Sequence, residues 1–303
     1  MAIRSESRLE RILHEHGFAV TAEVVPPRNT DGDAVRSQAR ALRGFADAAN
    51  VTDSPKSSAH MSAVAGSALV AAEGVEPVLQ IACRDRNRIA ITGDLLGAWA
   101  LGARNVLCLT GDPVTAGDEP EAREVHDLTV LDLVRFAVKL RAGEVSLGGN
   151  PVDPAPKYFV GVADVPLAES YDPARLEAKA EAGADFVQTQ IVYDLDALGE
   201  WADAIRPRGL FERMFVLVGV APPRSAASAR FMREHLPGVV VPDQVIAQLE
   251  DAEDPAEEGV RLTVDIVKRL REIEGISGVH VMGLGREDSV KRVIEEAGLL
   301  PRP

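Results

Sequence analysis

Glu23 has the setting of an acid–base group. It stands in Thr21-Ala22-Glu23-Val24-Val25, just before Pro26-Pro27, among apolar neighbours. Such surroundings desolvate a carboxylate and raise its pKa, which suits a general acid working near neutral pH. A buried ion pair with an arginine such as Arg28 is the structural alternative. Asp112 follows Leu107-Cys108-Leu109-Thr110-Gly111. Gly111 would let a ligand approach the backbone closely, whereas a Thr-Gly-Asp-Pro turn would use the same carboxylate as a cap. Gln190 closes Phe186-Val187-Gln188-Thr189-Gln190. Its amide both donates and accepts, which suits the edge of a heterocycle or a hydrogen bond within a protein layer. Thr52-Asp53, Gln80, Arg84-Asp85, Asp164 and Arg286 are further polar residues at the ends of β-rich runs.

Other chemistries find less support. Cys83, Cys108 and His280 could in principle ligate a metal, but no close-spaced ligand pair accompanies them. His14, His16, His60, His126 and His235 show no ligand spacing either, so no metal site is expected. A Schiff-base mechanism needs a lysine at a strand end. Lys56 lies four residues beyond the second strand and Lys157 precedes the fifth, which argues against an amine nucleophile.

The elements that position these residues alternate. Strands are expected at 18–25, 48–52, 77–82, 105–109, 158–163, 185–190, 214–220 and 278–282. Helices are expected at 31–44, 57–73, 86–102, 127–142, 172–182, 195–205, 225–236 and 286–297. A further helical stretch covers 254–274. An N-terminal amphipathic helix lies within 1–17, with Ser7 and Glu10 as a capping box. Runs such as Phe215-Val216-Leu217-Val218 suit strands covered on both faces of a parallel sheet. Gly102, Gly143, Gly183, Gly238 and Gly298 read as left-handed helix stops. Eight βα units imply a (β/α)8 barrel, one domain over 1–303. The alternative is an open doubly wound sheet, but no G-x-G-x-x-G follows the first strand, and Gly283-x-Gly285 is too short. The stretches 115–125 and 142–156 read as long loops.

Composition sets the class. The chain has 303 residues, 46% hydrophobic and 26% charged, with a formal net charge of −14. This is a globular chain whose acidity disfavours nucleic acid and anionic membranes as partners. Two cysteines exclude a disulfide scaffold. No apolar run suits a membrane span and the N-terminus lacks a signal-like core, so the cytoplasm is the expected compartment. No exposed apolar stripe marks an oligomer interface.

In this order, the strand-end residues resemble the methylenetetrahydrofolate reductase family over nearly the whole chain. Glu23-Val24-Val25-Pro26-Pro27 is similar to the family's E-[FV]-x-P-P, and Val51-Thr52 to its V-T. Ala82-Cys83-Arg84-Asp85-Arg86-Asn87, Leu95-Leu96-Gly97 and Gly102-Ala103-Arg104-Asn105-Val106-Leu107 resemble C-R-D-R-N … L-L-G … G-x-R-N-[IV]-L. Leu109-Thr110-Gly111-Asp112-Pro113 resembles L-[TR]-G-D-P. Lys179-Ala180-Glu181-Ala182-Gly183-Ala184-Asp185 with Thr189-Gln190 resembles K-x-x-A-G-A-[DN] … T-Q, and Gly285-Arg286 looks like L-N-R.

The resemblance implies a (β/α)8 barrel that reduces 5,10-methylenetetrahydrofolate to 5-methyltetrahydrofolate with NADH or NADPH, in one-carbon metabolism leading to methionine. Most of the family passes electrons through FAD. Glu23 would protonate N10 and open the ring to a 5-iminium cation. Asp112 would bind the pterin edge or flavin and stabilise that cation electrostatically. Gln190 would bind the pterin and Arg286 the p-aminobenzoyl-glutamate end, with Thr52 and Asp53 beside them. Thr52, Gln80, Thr110, Gly111 and Lys179 fall at cofactor-side positions.

Several family features differ. An R-K pair that grips flavin phosphates is here Ala178-Lys179. A frequent A-Y-P-x-x-H-P becomes Val162-Ala163-Asp164-Val165-Pro166. A strand-three His corresponds to Gln80, and a Phe after strand seven to Ala226. Aromatic content is 4%, which leaves few rings to stack on a flavin. The expectation is therefore weak or absent flavin binding and direct hydride transfer to the iminium carbon. A folate-binding barrel without turnover, or a one-carbon transferase on the same fold, are the competing readings.

Overall fold

The computed structural model describes residues 3–143 and 148–302. Part of the expected 142–156 loop therefore lies outside the described residues. Eight parallel strands close into a barrel in sequence order. They are β1 (Ala19–Val24), β2 (Ala48–Val51), β3 (Pro77–Ala82), β4 (Asn105–Leu109), β5 (Phe159–Asp164), β6 (Phe186–Ile191), β7 (Phe215–Val220) and β8 (Ile276–Val281). Helix α1 (Arg8–His14) precedes them. Helices α2 (Gly32–Leu42), α3 (Ala63–Ala72), α4 (Arg88–Ala100), α5 (Val130–Arg141) and α6 (Pro173–Glu181) follow the first five strands in turn. After β6 come α7 (Leu195–Ile205) and the short α8 (Leu210–Arg213). After β7 come α9 (Ala226–His235), α10 (Asp243–Asp251) and α11 (Pro255–Leu270), and α12 (Glu287–Glu296) follows β8. The (β/α)8 expectation holds.

Strand alternation sorts the side chains into two cores. Val20, Ala22 and Val24 of β1 face outward and pack with Val35, Ala39 and Leu42 of α2. Ala19, Ala48, Val78, Leu107, Phe159, Phe186 and Leu217 face inward and fill the bottom of the barrel, which Leu9, Ile12 and Leu13 of α1 plug. Gly161 is required here, because a Cβ would lie 2.2 Å from the Phe186 ring. The plug is anchored by Glu76, whose carboxylate accepts from the α1 N–H groups of Arg8 (2.8 Å) and Leu9 (3.1 Å).

One layer higher, the interior turns polar. The Gln188 amide exchanges two hydrogen bonds with Asn50, at 2.6 and 3.1 Å. It also donates to Thr21 Oγ1 at 3.1 Å, and Thr21 Oγ1 meets His280 Nδ1 at 3.0 Å. Strands β1, β2, β6 and β8 are thereby cross-linked through the barrel axis.

Most element boundaries fall within two residues of expectation; the short helix α8 was not expected, α11 ends at Leu270 and not near 274, and further details differ. The helix expected at 57–73 begins at Ala63, capped by Ser62, because a 3-10 turn at Pro55–Ser57 precedes it. Residues 243–251 form α10, which was not expected. Its buried Ile246 and Leu249 supply a narrow apolar face. Strand β8 starts two residues early and includes Gly278, where a Cβ would meet the Ala19 carbonyl at 2.3 Å. The Ser7 capping box is half formed. Ser7 Oγ accepts from the Glu10 N–H, but the Glu10 carboxylate accepts from the Arg4 and Ser5 N–H groups instead.

Replacing Gln188 by Leu removes the centre of the polar layer and leaves buried groups on Asn50 and Thr21 without these partners. The unfolding free energy falls by about 2–4 kcal/mol, read from urea melts. A change below about 0.5 kcal/mol would contradict the role given to this layer.

Candidate active site

The mouth of the barrel lies at the strand C-termini, where (β/α)8 enzymes carry their chemistry. Glu23 stands two residues beyond Thr21 on the same inward face of β1, in register with Asn50 of β2. It rises directly from the polar layer. The carboxyl is half-buried, and among the described residues it has no hydrogen-bond or ionic partner. Burial alone pushes its pKa up to about 7. The pairing with Arg28 does not form, because Arg28 bonds Asp118 instead.

A cleft of about 650 Å³ opens beside Glu23 between α2 and α12. Val25, Gln38, Arg286 and Lys291 share its wall. Arg286 Nη1 is buried without a hydrogen-bond partner, as is Thr52 Oγ1. Unpaired buried donors carry a desolvation cost that a ligand acceptor would relieve. A hollow of about 700 Å³ lies by His14, His16 and Phe215, at the opposite end from the strand C-termini.

The other expected residues fall into separate groups. Both Asp53 oxygens meet Arg86, at 2.6 and 3.0 Å, and Oδ2 also accepts from the Ala82 N–H. Asp53 therefore fastens the end of β3 and does not present a free carboxylate. Asp112 Oδ2 accepts from the Lys56 N–H at 2.9 Å, so this carboxylate ties its loop to the loop after β2 and does not cap its own Thr-Gly-Asp-Pro turn. Thr110 is exposed, and its carbonyl accepts from the Arg84 N–H. Gly111 has φ +93°, and a Cβ there would lie 2.8 Å from Arg84 Cβ. The close approach that Gly111 permits is made by Arg84.

Gln190 turns its amide onto the backbone. Oε1 accepts from the Ile191 N–H at 2.9 Å and Nε2 donates to the Pro237 carbonyl at 3.2 Å. Gln80 is half-buried and faces inward by alternation with Val78 and Ala82. Lys179 Nζ donates to the Ala163 carbonyl at 2.6 Å and lies 3.8 Å from Asp164 Oδ1. Burial lowers the Lys179 pKa, partly offset by Asp164. Glu23 and Arg286 thus share one cleft, whereas Asp112, Gln190 and Lys179 lie in three other settings around the rim.

Burial raises the thiol pKa of Cys83 to about 11 and raises that of Cys108 as well, so neither is a ready thiolate. His280 is pushed down to about 4 by burial and is neutral in the polar layer. Among the described residues no cluster of three or more His, Cys, Asp or Glu side chains is arranged to hold a metal. No local motif marks Asn50 and Gln188 as a layer. Their strand parity with Thr21 and His280 was the available signal.

Comparisons with known proteins agree with the barrel fold. The family model described as methylenetetrahydrofolate reductase matches residues 8–298. Methylenetetrahydrofolate reductase 1 of Schizosaccharomyces pombe is 29% identical over 75% of this chain and 36% of its own. A probable methylenetetrahydrofolate reductase (NADPH) of Caenorhabditis elegans is 25% identical over 96% of this chain and 44% of its own. The chain thus spans less than half the length of these two relatives. Among solved structures, an uncharacterized Clostridium thermocellum protein shares the fold with a TM-score of 0.64 and 14% identity, covering 97% of this chain and 99% of that one. It is described as binding two copies of 5-methyl-5,6,7,8-tetrahydrofolic acid.

The raised pKa of Glu23 makes folding stability depend on pH. Between the ordinary value of 4.5 and about 7 the folded state holds a proton that the unfolded chain has released. Stability is therefore lost as pH rises through this window and stays lost above it. Glu23→Gln abolishes the penalty, so the variant gains up to about 2–3 kcal/mol over the parent at pH 8 and nothing at pH 4. Urea melts at the two pH values read the difference. An equal effect at both would contradict the shift.

Proposed function

The chain belongs to the methylenetetrahydrofolate reductase family, and we propose that it reduces 5,10-methylenetetrahydrofolate to 5-methyltetrahydrofolate with hydride taken directly from NADH or NADPH. One observation carries this reading. An unpaired carboxyl, Glu23, has its pKa raised to about 7 and stands beside a cleft large enough for a ligand.

At that pKa Glu23 is about half protonated at pH 7, which suits a general acid. It gives its proton to N10, the bond from N10 to the methylene carbon breaks, and N5 becomes an iminium. Hydride from C4 of the dihydronicotinamide adds to the methylene carbon, forming the N5-methyl group and releasing the oxidised nucleotide. The Glu23 carboxylate left behind faces the cation and stabilises it. Solvent then returns the proton. Arg286 directs its unpaired Nη1 to a carboxylate of the substrate tail. Thr52 and Gln80 offer interior polar groups to the pterin, and Gln190 lies beside it on the rim. Asp112 acts chiefly by holding the loop that bears Lys56.

A flavin fits these residues poorly. The family pattern would bring its pyrophosphate to Lys179, but that ammonium is already held by the Ala163 carbonyl and Asp164. Asp164 also accepts from Tyr171 Oη and Trp201 Nε1, which fixes its negative charge in place. The adjoining hollow is about 170 Å³, with Arg175 and Lys179 facing Asp164 and Asp172, so its formal charge sums to zero. Nothing there offsets a pyrophosphate. The Clostridium thermocellum barrel, described as binding 5-methyl-5,6,7,8-tetrahydrofolic acid, shares this fold, which supports a folate as one ligand here.

Steady-state assays test the reading. Purified protein oxidises NADH or NADPH only when 5,10-methylenetetrahydrofolate is present, with sequential kinetics unchanged by added FAD. Its kcat/KM falls as pH rises through about 7, and Glu23→Gln lowers turnover about 10²–10⁴-fold while 5-methyltetrahydrofolate still binds. Parallel-line kinetics that require FAD would overturn direct transfer. A parent protein without turnover would overturn the reductase reading.

A further inference from the structure

We propose that Lys56 is the contact for the pyrophosphate of the dinucleotide donor, and that Phe231 holds it in readiness across the barrel mouth. The inference rests on the reductase reading, since it assigns part of the donor site.

Lys56 lies in the loop after β2, within the 3-10 turn Pro55–Ser57. Ser54, Lys56 and Ser57 all have left-handed backbone, with φ of 47°, 53° and 53°. None is glycine, so the loop is strained, and such strain persists only where surrounding structure imposes it. Two residues impose it here. Asp112 Oδ2 accepts from the Lys56 N–H. Arg84, itself 2% exposed, donates to Ser57 Oγ at 2.8 Å and to the Asp112 carbonyl at 3.1 Å.

The result is an unusual reach. Lys56 Nζ stands 5.3 Å from the centroid of the Phe231 ring on α9. Helix α9 follows β7, and round the closed barrel β2 and β7 are separated by β1 and β8. The contact therefore passes over the open ends of β1 and β8, the strands that lead to Glu23 and Arg286. Phe231 is 47% exposed and stacks at 4.4 Å on His235. Its ring is not committed to the core.

The charge of Lys56 is also uncommitted. Arg28, Arg84 and Arg86 on the neighbouring loops each meet a carboxylate. Among the described residues no carboxylate pairs with the Lys56 ammonium. An exposed cation–π contact is a weak hold, and a phosphate oxyanion attracts an ammonium more strongly. An arriving dinucleotide would draw Lys56 onto its phosphates. That movement would uncover the Phe231 face for a planar ring of the same ligand. A phosphate-bearing donor matches a cation without a carboxylate partner beside an aromatic ring. The pterin and its benzoyl tail bring no phosphate.

Calorimetric titration of the whole protein with NADH, NADPH, ADP-ribose and 5-methyltetrahydrofolate tests the assignment. Lys56→Met should weaken NADH, NADPH and ADP-ribose alike, by about tenfold, and leave 5-methyltetrahydrofolate unchanged. Lys56→Arg should restore most of the loss. In turnover, KM for NADH should rise in step with Kd. A loss confined to NADPH would overturn the pyrophosphate assignment in favour of the 2′-phosphate. Equal weakening of the folate would mean that Lys56 only shapes the loop, and NADH affinity within twofold of the parent would overturn the proposal outright. Failure of the parent to bind either dinucleotide would overturn the reductase reading along with it.

Discussion

The mouth of this barrel rests on a hydrogen-bonded floor. Gln188 reaches across the axis from β6 and bonds Asn50 on β2 and Thr21 on β1, and Thr21 in turn meets His280 on β8. Below that layer the interior is apolar and plugged by α1. Above it stands Glu23. Because strand side chains repeat every two residues, fixing Thr21 inward also fixes Glu23 inward. The floor lets polar chemistry begin in the middle of a barrel without burying unpaired amides. Desolvation acts on Glu23 with no charged neighbour offsetting it.

A second support holds the rim. Buried Arg84 ties the loop after β2 to the loop after β4 and leaves Gly111 no room for a side chain. Asp53 and Arg86 fasten the end of β3 in the same region. These carboxylates do structural work at positions where a list of polar strand ends suggests ligands. What stays unpaired is then informative. Among the described residues, Glu23, Thr52 Oγ1 and Arg286 Nη1 have no hydrogen-bond partner and the Lys56 ammonium meets no carboxylate, and these are the groups proposed to meet a ligand.

The barrel was legible in the sequence because its strands are apolar runs and its helices end in left-handed glycines, both local signals. Gly102, Gly143, Gly183, Gly238 and Gly298 all adopt positive φ. Helix α10 was not legible, because its apolar face is narrow and lies in an acidic stretch after Pro242. Glu23 could be singled out because its neighbours along the chain are the ones that desolvate it. The fate of Asp53, Asp112 and Gln190 could not be read, since their partners are 29, 56 and 47 positions away. Phe231 carries no local signal for the same reason. On a helix its spacing marks nothing, and only the closed barrel brings Lys56 to it.

Hydride is proposed to pass from dihydronicotinamide to the folate methylene carbon without an intermediate carrier. Mass spectrometry of the product formed from donor deuterated at the transferred C4 position tests it most directly. Direct transfer predicts 5-methyltetrahydrofolate carrying one deuterium in its methyl group at the enrichment of the donor. Dilution of that label by solvent hydrogen, increasing as the second substrate is withheld, would reveal an exchangeable carrier and contradict the account.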